Sequence, residues 1–336
     1  MQHQRAGLIL SIAALAALLN SSIAMACASC GCSLTTDWQN LEYTYKPGFK
    51  FDLRYDYLNQ DQLRSGSSKI SSAAASQVVN NGNPQEVEKF TRNNYVTLAV
   101  DYSKTADWGI NVQTPYIIRS HSTLGTASDG FTPGADGGQY DSKTSALGDV
   151  KIIGRYQGFI RNQNLGLLLG MKLPTGSFNK TGNSTDSGAP GLVMIDRGLQ
   201  PGTGTTDAIA GLYYNNAITP DWGYFATAMY QFALNSRNGY KPGNSINASA
   251  GIRYSGFDII APQLQFNLRE LKHDRGNNAD TVSTGGTLLY ISPGIIAAVS
   301  DAVSLYGFVQ LPLYQDVNGV QLAPRIISSV GLRYSF

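Results

Sequence analysis

Written as an extended strand, the last thirteen residues, Pro324 to Phe336, divide onto two chemically distinct faces, because successive strand side chains point opposite ways. One face carries Ile326, Ser328, Val330, Leu332, Tyr334 and Phe336. The other carries Arg325, Ile327, Ser329, Gly331, Arg333 and Ser335. The first face suits hydrocarbon and ends in two aromatics fit for a water boundary; the second is mostly small or cationic. A strand that meets oil on one side and water on the other is what a transmembrane β-barrel requires.

The same period-two pattern recurs along the chain. Phe49, Phe51, Leu53, Tyr55 and Tyr57 alternate with Lys50, Asp52, Arg54, Asp56 and Leu58. Val96, Leu98, Val100 and Tyr102 lie opposite Thr97, Ala99, Asp101 and Ser103, and a tight turn at 105–108 leads to Ile110, Val112, Thr114, Tyr116 and Ile118. Further hairpins are expected at 148–160 with 164–174, 205–217 with 221–235, 244–256 with 258–271 and 285–299 with 302–314. With 48–60 and 324–336 the count reaches about twelve antiparallel strands, an even number. Long connections (61–92, 121–146, 175–203, 236–243, 272–283, 315–323) alternate with tight turns. That asymmetry predicts short periplasmic turns and long extracellular loops. Trp108 and Trp222 fall at tight turns and, with Tyr102, Tyr334 and Phe336, predict a periplasmic aromatic girdle.

Charged residues are only 14% of the chain, against roughly 25% in soluble domains. After residue 26 no apolar run approaches the roughly 20 residues of a helical span. Residues 1–26 read as a signal peptide: Arg5, an apolar stretch Leu8–Leu19, and Ala24-Met25-Ala26 before Cys27. Lipidation of Cys27 ranks second, because Ala24 stands where a lipoprotein signal prefers a leucine-like residue. Residues 27–47 then form a Cys-rich periplasmic leader and 48–336 an all-β outer-membrane barrel of a Gram-negative bacterium. The expected surroundings are the lipid bilayer and the outer-membrane assembly machinery. A net charge of +2 gives no reason to expect nucleic acid.

Turning the less apolar faces inward puts Lys50, Arg54, Arg119, Lys151, Arg155, Lys172, Arg253, Arg269, Arg325 and Arg333 in the lumen against Asp52, Asp56, Asp101 and Asp149. Closure would set Lys50, Arg54 and Arg333 on one wall, Arg155 with Lys172 on a second, and Arg253 with Arg269 on a third. Either these side chains pair and simply fill a narrow barrel, or excess positive charge lines a wet constriction and favours anions. Lys50, Arg54, Arg155, Lys172, Arg253, Arg269 and Arg333 are the candidate selectivity residues.

All three cysteines, Cys27, Cys30 and Cys32, precede the barrel. In an oxidising envelope two can form a disulfide and one stay free. Three thiolates can instead bind a soft metal ion, and docking to a periplasmic redox or metal partner is a third reading. No His follows Cys30, so the haem-attachment signature is missing. No cofactor is expected. His121 and His273 are the only mature histidines; His121 reads as a solvated loop residue whose neighbours Ser120 and Ser122 point the other way, so no catalytic pair is expected. Asp129, Asp136 and Asp141 do not match an EF-hand spacing. Gly202-Thr203-Gly204 has no helix after it, so it is not a phosphate cradle.

The ending Gly331-Leu332-Arg333-Tyr334-Ser335-Phe336 resembles the C-terminal strand of bacterial outer-membrane barrels, where a terminal aromatic is the usual assembly signal. With Lys172-Leu173-Pro174-Thr175-Gly176 and Leu199-Gln200-Pro201-Gly202-Thr203-Gly204-Thr205-Thr206-Asp207, it also resembles the outer-membrane proteins of the meta-pathway phenol-degradation family. The resemblance implies passage of small, aromatic compounds across the outer membrane; the Cys-rich leader departs from that pattern. The expected function is a channel for facilitated diffusion of small solutes, anionic or aromatic. The alternative is a barrel scaffold for a periplasmic metal or electron-transfer system that uses the cysteines.

Overall fold

A computed structural model describes residues 47–80, 83–84, 87–124, 139–185 and 191–336. The signal peptide, the leader with Cys27, Cys30 and Cys32, and Asp129 and Asp136 lie outside the described residues. The principal strands are β1 (Gly48–Gly66), β2 (Val87–Ser103), β3 (Trp108–Leu124), β4 (Gln139–Leu147), β5 (Val150–Tyr156), β6 (Leu165–Leu173), β7 (Thr181–Ser184), β8 (Gly191–Met194), β9 (Asp207–Ala217), β10 (Trp222–Ala233), β11 (Ser245–Tyr254), β12 (Ile260–Leu271), β13 (Gly286–Ala298) and β14 (Val303–Ser335).

Antiparallel pairing runs β1-β2-β3-β5-β6-β9-β10-β11-β12-β13-β14 and returns to β1, closing the sheet on itself. Eleven strands thus form the ring, but β14 is 33 residues long. Straight, it would reach about 110 Å at ~3.3 Å per residue. Instead the Ser335 amide donates to the Ala302 carbonyl at 2.8 Å, so the segment doubles back. Its first arm pairs with β13 from Ser304 to Val317, its second with β1 from Val320 to Ser335. The reversal lies at Asn318-Gly319, where Gly319 has φ 59, a conformation glycine adopts without penalty. Counting both arms gives twelve. The expected loop at 315–323 is therefore a turn at the tip of a continuous hairpin. β1 and β3 likewise run on to Gly66 and Leu124, well past the roughly ten residues a membrane needs.

The predicted faces hold. Phe49, Phe51, Leu53 and Tyr55 are exposed on the outer wall while Asp52, Arg54 and Asp56 are buried in the lumen. On the last arm Val330, Leu332, Tyr334 and Phe336 face out and Ser329 and Arg333 face in. The girdle forms at the tight-turn end: Phe336 stacks on Phe49 and Phe51 (centroids 5.8 and 5.7 Å), Trp108 packs on Tyr156 and Trp222 on Tyr254. Phe49 and Phe336 exchange both backbone hydrogen bonds, each 3.0 Å. First and last strands meet.

Inside, the barrel is packed in part by apolar side chains. Ile153, Leu168, Ile209, Tyr213 and Met229 form one lumenal cluster, and Ile296, Tyr306 and Phe308 another. β4 continues the line of β5 along β3, past a break at Gly148-Asp149, and carries β7 and β8 on its far edge.

Candidate functional site: the lumen and its inner strap

Two strand walls and one loop build the polar lumen. At the seam, Asp52 pairs in register with Arg333 and Arg54 with Gly331, because parity places them on the same inner face. Arg333 lies 3.4 Å from Asp52 and 5.6 Å over the Tyr306 ring, whose hydroxyl donates to Asp52 at 2.8 Å. Arg54 Nε donates to Asp56 Oδ2 at 2.8 Å, and Ser329 Oγ donates to Asp56 Oδ1 at 2.6 Å. Lys50 lies half-buried below, beside Asp101 and Ser335 in register. Lys50, Arg54 and Arg333 do share a wall.

Arg155, on β5, lies across Gly109, so close that a Cβ there would meet its guanidinium at 2.4 Å. From that position it donates to Ser103 Oγ at 2.6 Å and sits 3.7 Å from Asp101. Lys172 belongs to a different group. It is four register pairs away, since Lys172 faces Lys151 and Arg155 faces Leu168, about 13 Å along the strand. Arg253 and Arg269 are further apart. They face Gln263 and Asn247 on the shared β11–β12 ladder, six pairs or about 20 Å. Common wall does not mean contact.

Arg325 is a correction: 63% of its side chain is exposed on the outer wall, where it meets Asp61 at 2.9 Å. The β1–β14 register shifts between Asn59 and Gln60 and again before Gln62, and a bulge inverts the alternation beyond it. His121 is a second correction. It is 2% exposed, with Nδ1 at 2.8 Å from Thr91 Oγ1 and 4.0 Å from Glu88.

The segment 195–206 folds inward as a strap, held by three buried cations. Arg119 donates to Asn93 Oδ1 at 2.5 Å, to Tyr95 Oη at 3.1 Å and to the Leu199 carbonyl at 2.5 Å. Arg197 donates to the carbonyls of Phe178 (2.9 Å) and Thr203 (2.8 Å). Lys172 donates to Asp149 (2.8 Å), Thr203 Oγ1 (2.5 Å) and the Thr205 carbonyl (2.8 Å), with Asp207 at 3.4 Å. Asp149 in turn accepts from the Thr203 and Gly176 amides, both 3.0 Å. The Gly202-Thr203-Gly204 run thus serves the strap. Gly176 and Gly202 pass so closely that a Cβ on Gly202 would lie 2.4 Å from the Gly176 carbonyl.

The opposite wall carries uncharged amides. Gln263 donates to Gln265, Gln265 to Asn267, and Asn267 to Ser292 at 2.6 Å. Lys151, Gln113, Gln231 and Asn247 surround Ile153, Ile209 and Met229 around a gap of about 10 Å³. Asp207, Glu88 and the amide ladder were missed in the sequence because nothing local distinguishes them. A signal for the arginines was available: Arg155-Tyr156-Gln157-Gly158-Phe159, Arg253-Tyr254-Ser255-Gly256-Phe257 and Arg333-Tyr334-Ser335-Phe336 repeat at strand ends. Each tyrosine joins the outer girdle, so each preceding arginine faces in.

Access to water separates the charges. Asp52, Asp56, Asp149 and Asp207 are all at most 8% exposed, whereas Lys50, Lys151 and Arg253 are half-buried, with Asp101 the half-buried carboxylate among the predicted lumenal set. Among the described residues no group of three or more His, Cys, Asp or Glu is placed to hold a metal ion.

No sequence-family profile matches the chain, and no curated protein does. Solved structures do. The COG4313 outer membrane channel from Pseudomonas putida F1 superposes with a TM-score of 0.62 over 87% of this chain and 97% of its own, at 13% identity. The CymD monoaromatic hydrocarbon channel (TM-score 0.47, 10% identity, 87% and 89% covered) and the Ralstonia pickettii toluene transporter TbuX (0.46, 12%, 87% and 90%) are more distant. The chain is a transmembrane β-barrel of the Gram-negative outer membrane, and in fold it is similar to the COG4313 channel.

Proposed function

We propose that this barrel is a channel for facilitated diffusion of small solutes, with a preference for small aromatic compounds that carry a polar or anionic group. The observation that carries the reading is the juxtaposition of Ile153, Ile209 and Met229 with Lys151, Gln231 and Asn247 on one stretch of lumen. Such a surface offers an apolar face for a ring and donors for its substituent. The gap between them is only about 10 Å³, so a solute must displace side chains, and the unbranched thioether of Met229 yields most readily. The COG4313 protein is itself an outer-membrane channel, and the resemblance to the phenol-degradation family supports aromatic cargo. The strap restricts the upper lumen. Lys50, Lys151 and Arg253 set the sign of the potential along the wetted path.

The test is a planar-bilayer measurement. The folded protein is expected to conduct, and a salt gradient at neutral pH is expected to give a reversal potential of anion-preferring sign. Arg253→Gln is expected to move it toward zero. A non-conducting barrel removes the channel reading; cation preference in the unsubstituted protein removes only the anionic part. In this reading the leader with Cys27, Cys30 and Cys32 belongs to the periplasm, the side assigned to the tight-turn rim where β1 begins at Gly48.

A further inference from the structure

The outer wall where β1 meets both arms of β14 carries a feature that a diffusion path does not use. Outward side chains on the second arm, Phe336, Tyr334, Leu332, Val330 and Ile326, form an apolar run interrupted only by Ser328. Directly above Ile326 the alternation breaks at the β1–β14 register shifts, and Arg325 turns outward. A matching shift between β13 and β14 at Leu289 and Tyr290 leaves Leu313 and Tyr314 both exposed. Between these bulges lies an open concavity of about 290 Å³, walled by Gln62, Arg64, Lys69 and Arg325 and floored by Pro312 and Leu313.

Its depth follows from strand geometry. The ten steps from Ile326 to Phe336 span ~33 Å along the strand, or ~25 Å along the membrane normal at a tilt of ~40°. That is the height of the apolar band of an outer-membrane barrel, roughly 25 Å. Phe336 belongs to the periplasmic girdle, so Arg325 stands at the extracellular edge of the hydrocarbon. Three cations, Arg64, Lys69 and Arg325, gather there against two carboxylates, Asp61, which Arg325 meets at 2.9 Å, and Asp316, which accepts from the Tyr314 hydroxyl at 3.2 Å. Arg64 is held in place by the carbonyls of Ser67 (2.6 Å) and Gln315 (3.4 Å) and by Gln62 Oε1 at 3.1 Å. Clustered guanidinium and ammonium groups at a lipid boundary suit phosphate oxygens, which accept charge-assisted hydrogen bonds from both. Leu313 and Ile326 beneath them suit acyl chain.

We propose that Arg64, Lys69 and Arg325 bind the phosphorylated headgroup of an outer-leaflet lipid, with Leu313 and Ile326 against its chains. This rests on the short turns facing the periplasm but not on the barrel conducting anything. The test is native mass spectrometry of the full-length protein in detergent, with bisphosphorylated lipid A as the probe. Loss of three charged donors in R64Q/K69Q/R325Q is expected to lower retention by roughly tenfold or more, while dephosphorylated lipid A is retained by neither protein. Heat-modifiable mobility on gels checks that both barrels are folded. R325Q alone, at a largely exposed side chain, is expected to show an intermediate loss and keeps the test open should the triple variant fail to assemble. Equal retention by folded variant and parent overturns the proposal. So does displacement of the lipid by millimolar inorganic phosphate, which would assign the cations to a free anion.

Discussion

Lys172 Nζ lies 2.8 Å from Asp149 Oδ2 and 3.4 Å from Asp207 Oδ1, one buried ammonium between two buried carboxylates. The three come from β6, the Gly148-Asp149 break and the first residue of β9. This cluster ties the strap to the wall, because Lys172 also holds Thr203 and Thr205 and Asp149 holds the Thr203 amide.

Lys172→Met removes the cation and strands two carboxylates. Breaking a buried pair by removing one partner costs about 3–5 kcal/mol. The expected result is a lower temperature for loss of heat-modifiable mobility, together with larger and noisier single-channel currents as the strap loosens. Asp149→Asn keeps one acceptor oxygen, enough for the Thr203 amide on one side or the Gly176 amide on the other but not both, and leaves Lys172 with Asp207, so its cost is expected to be smaller than that of Lys172→Met. Were the two variants indistinguishable from the parent in both readouts, the strap would not depend on this cluster.

The lipid-facing strands were legible because hydrocarbon on one side and water on the other force strict alternation. Phe49 to Tyr55 and Val330 to Phe336 face as written. The strap was not legible. Its path is set by Arg119 and Lys172 reaching from strands far away in sequence, and Leu199 to Asp207 carries no periodicity of its own. Nor were the strand tips. Above the membrane both faces of β1 and β14 are polar or buried, so alternation stops reporting on pairing, and the bulge that sends Arg325 outward leaves no mark in residue types. Of the charges assigned to the lumen Arg325 faces out, and the spacing between the others needs register: Arg253 and Arg269 share a wall and stand six pairs apart.

The seam gives a second prediction. Gly48 has φ 140, and a Cβ there would lie 2.4 Å from the Phe336 carbonyl oxygen. That carbonyl accepts the Phe49 amide at 3.0 Å. Gly48→Ala is expected to open the Phe49–Phe336 bond pair, and Phe336→Ala to remove two stacked contacts worth roughly 0.5–1.5 kcal/mol each. Both changes are expected to slow folding into lipid vesicles, followed by the appearance of the fast-migrating band. Leu332→Ala, on the same outer face but away from the seam's end, serves as the comparison. Equal rates for all three would show that closure does not hinge on the terminal pair.

The cysteines provide a third test, one that separates the two functional readings. Substituting Cys27, Cys30 and Cys32 by serine together removes every thiol in the chain. If the barrel acts as a channel in its own right, the variant is expected to assemble with unchanged heat-modifiable mobility and unchanged conductance. Thiol labelling with mass spectrometry of the parent then distinguishes a disulfide, a metal-bound set and a lipidated Cys27. A parent that does not conduct, with a variant that loses a metal or a periplasmic partner the parent holds, would favour the scaffold reading.

Asp274 makes the fourth, a pH effect at the extracellular end. It lies beyond Leu271, is 3% exposed, and its oxygens accept from the Tyr240 hydroxyl at 2.9 Å and the Gly243 amide at 2.7 Å. Burial dominates over those hydrogen bonds and raises its pKa from 3.8 to about 6. Between those values the folded loop holds a proton that the unfolded loop has lost, so stability falls as pH rises. The carboxyl costs the loop nothing below pH 3.8, and the penalty grows through pH 6 and levels above it. Hydrogen exchange of the segment 240–244, corrected for intrinsic rates, is therefore expected to be slower in mildly acidic than in neutral buffer. Asp274→Asn imitates the protonated form, keeps an oxygen for the Gly243 amide and lets the Tyr240 oxygen accept from the new amide. Its protection is expected to match the parent in acid and to exceed it at neutral pH. A parent loop equally protected under both conditions would show that the buried carboxyl does not titrate there.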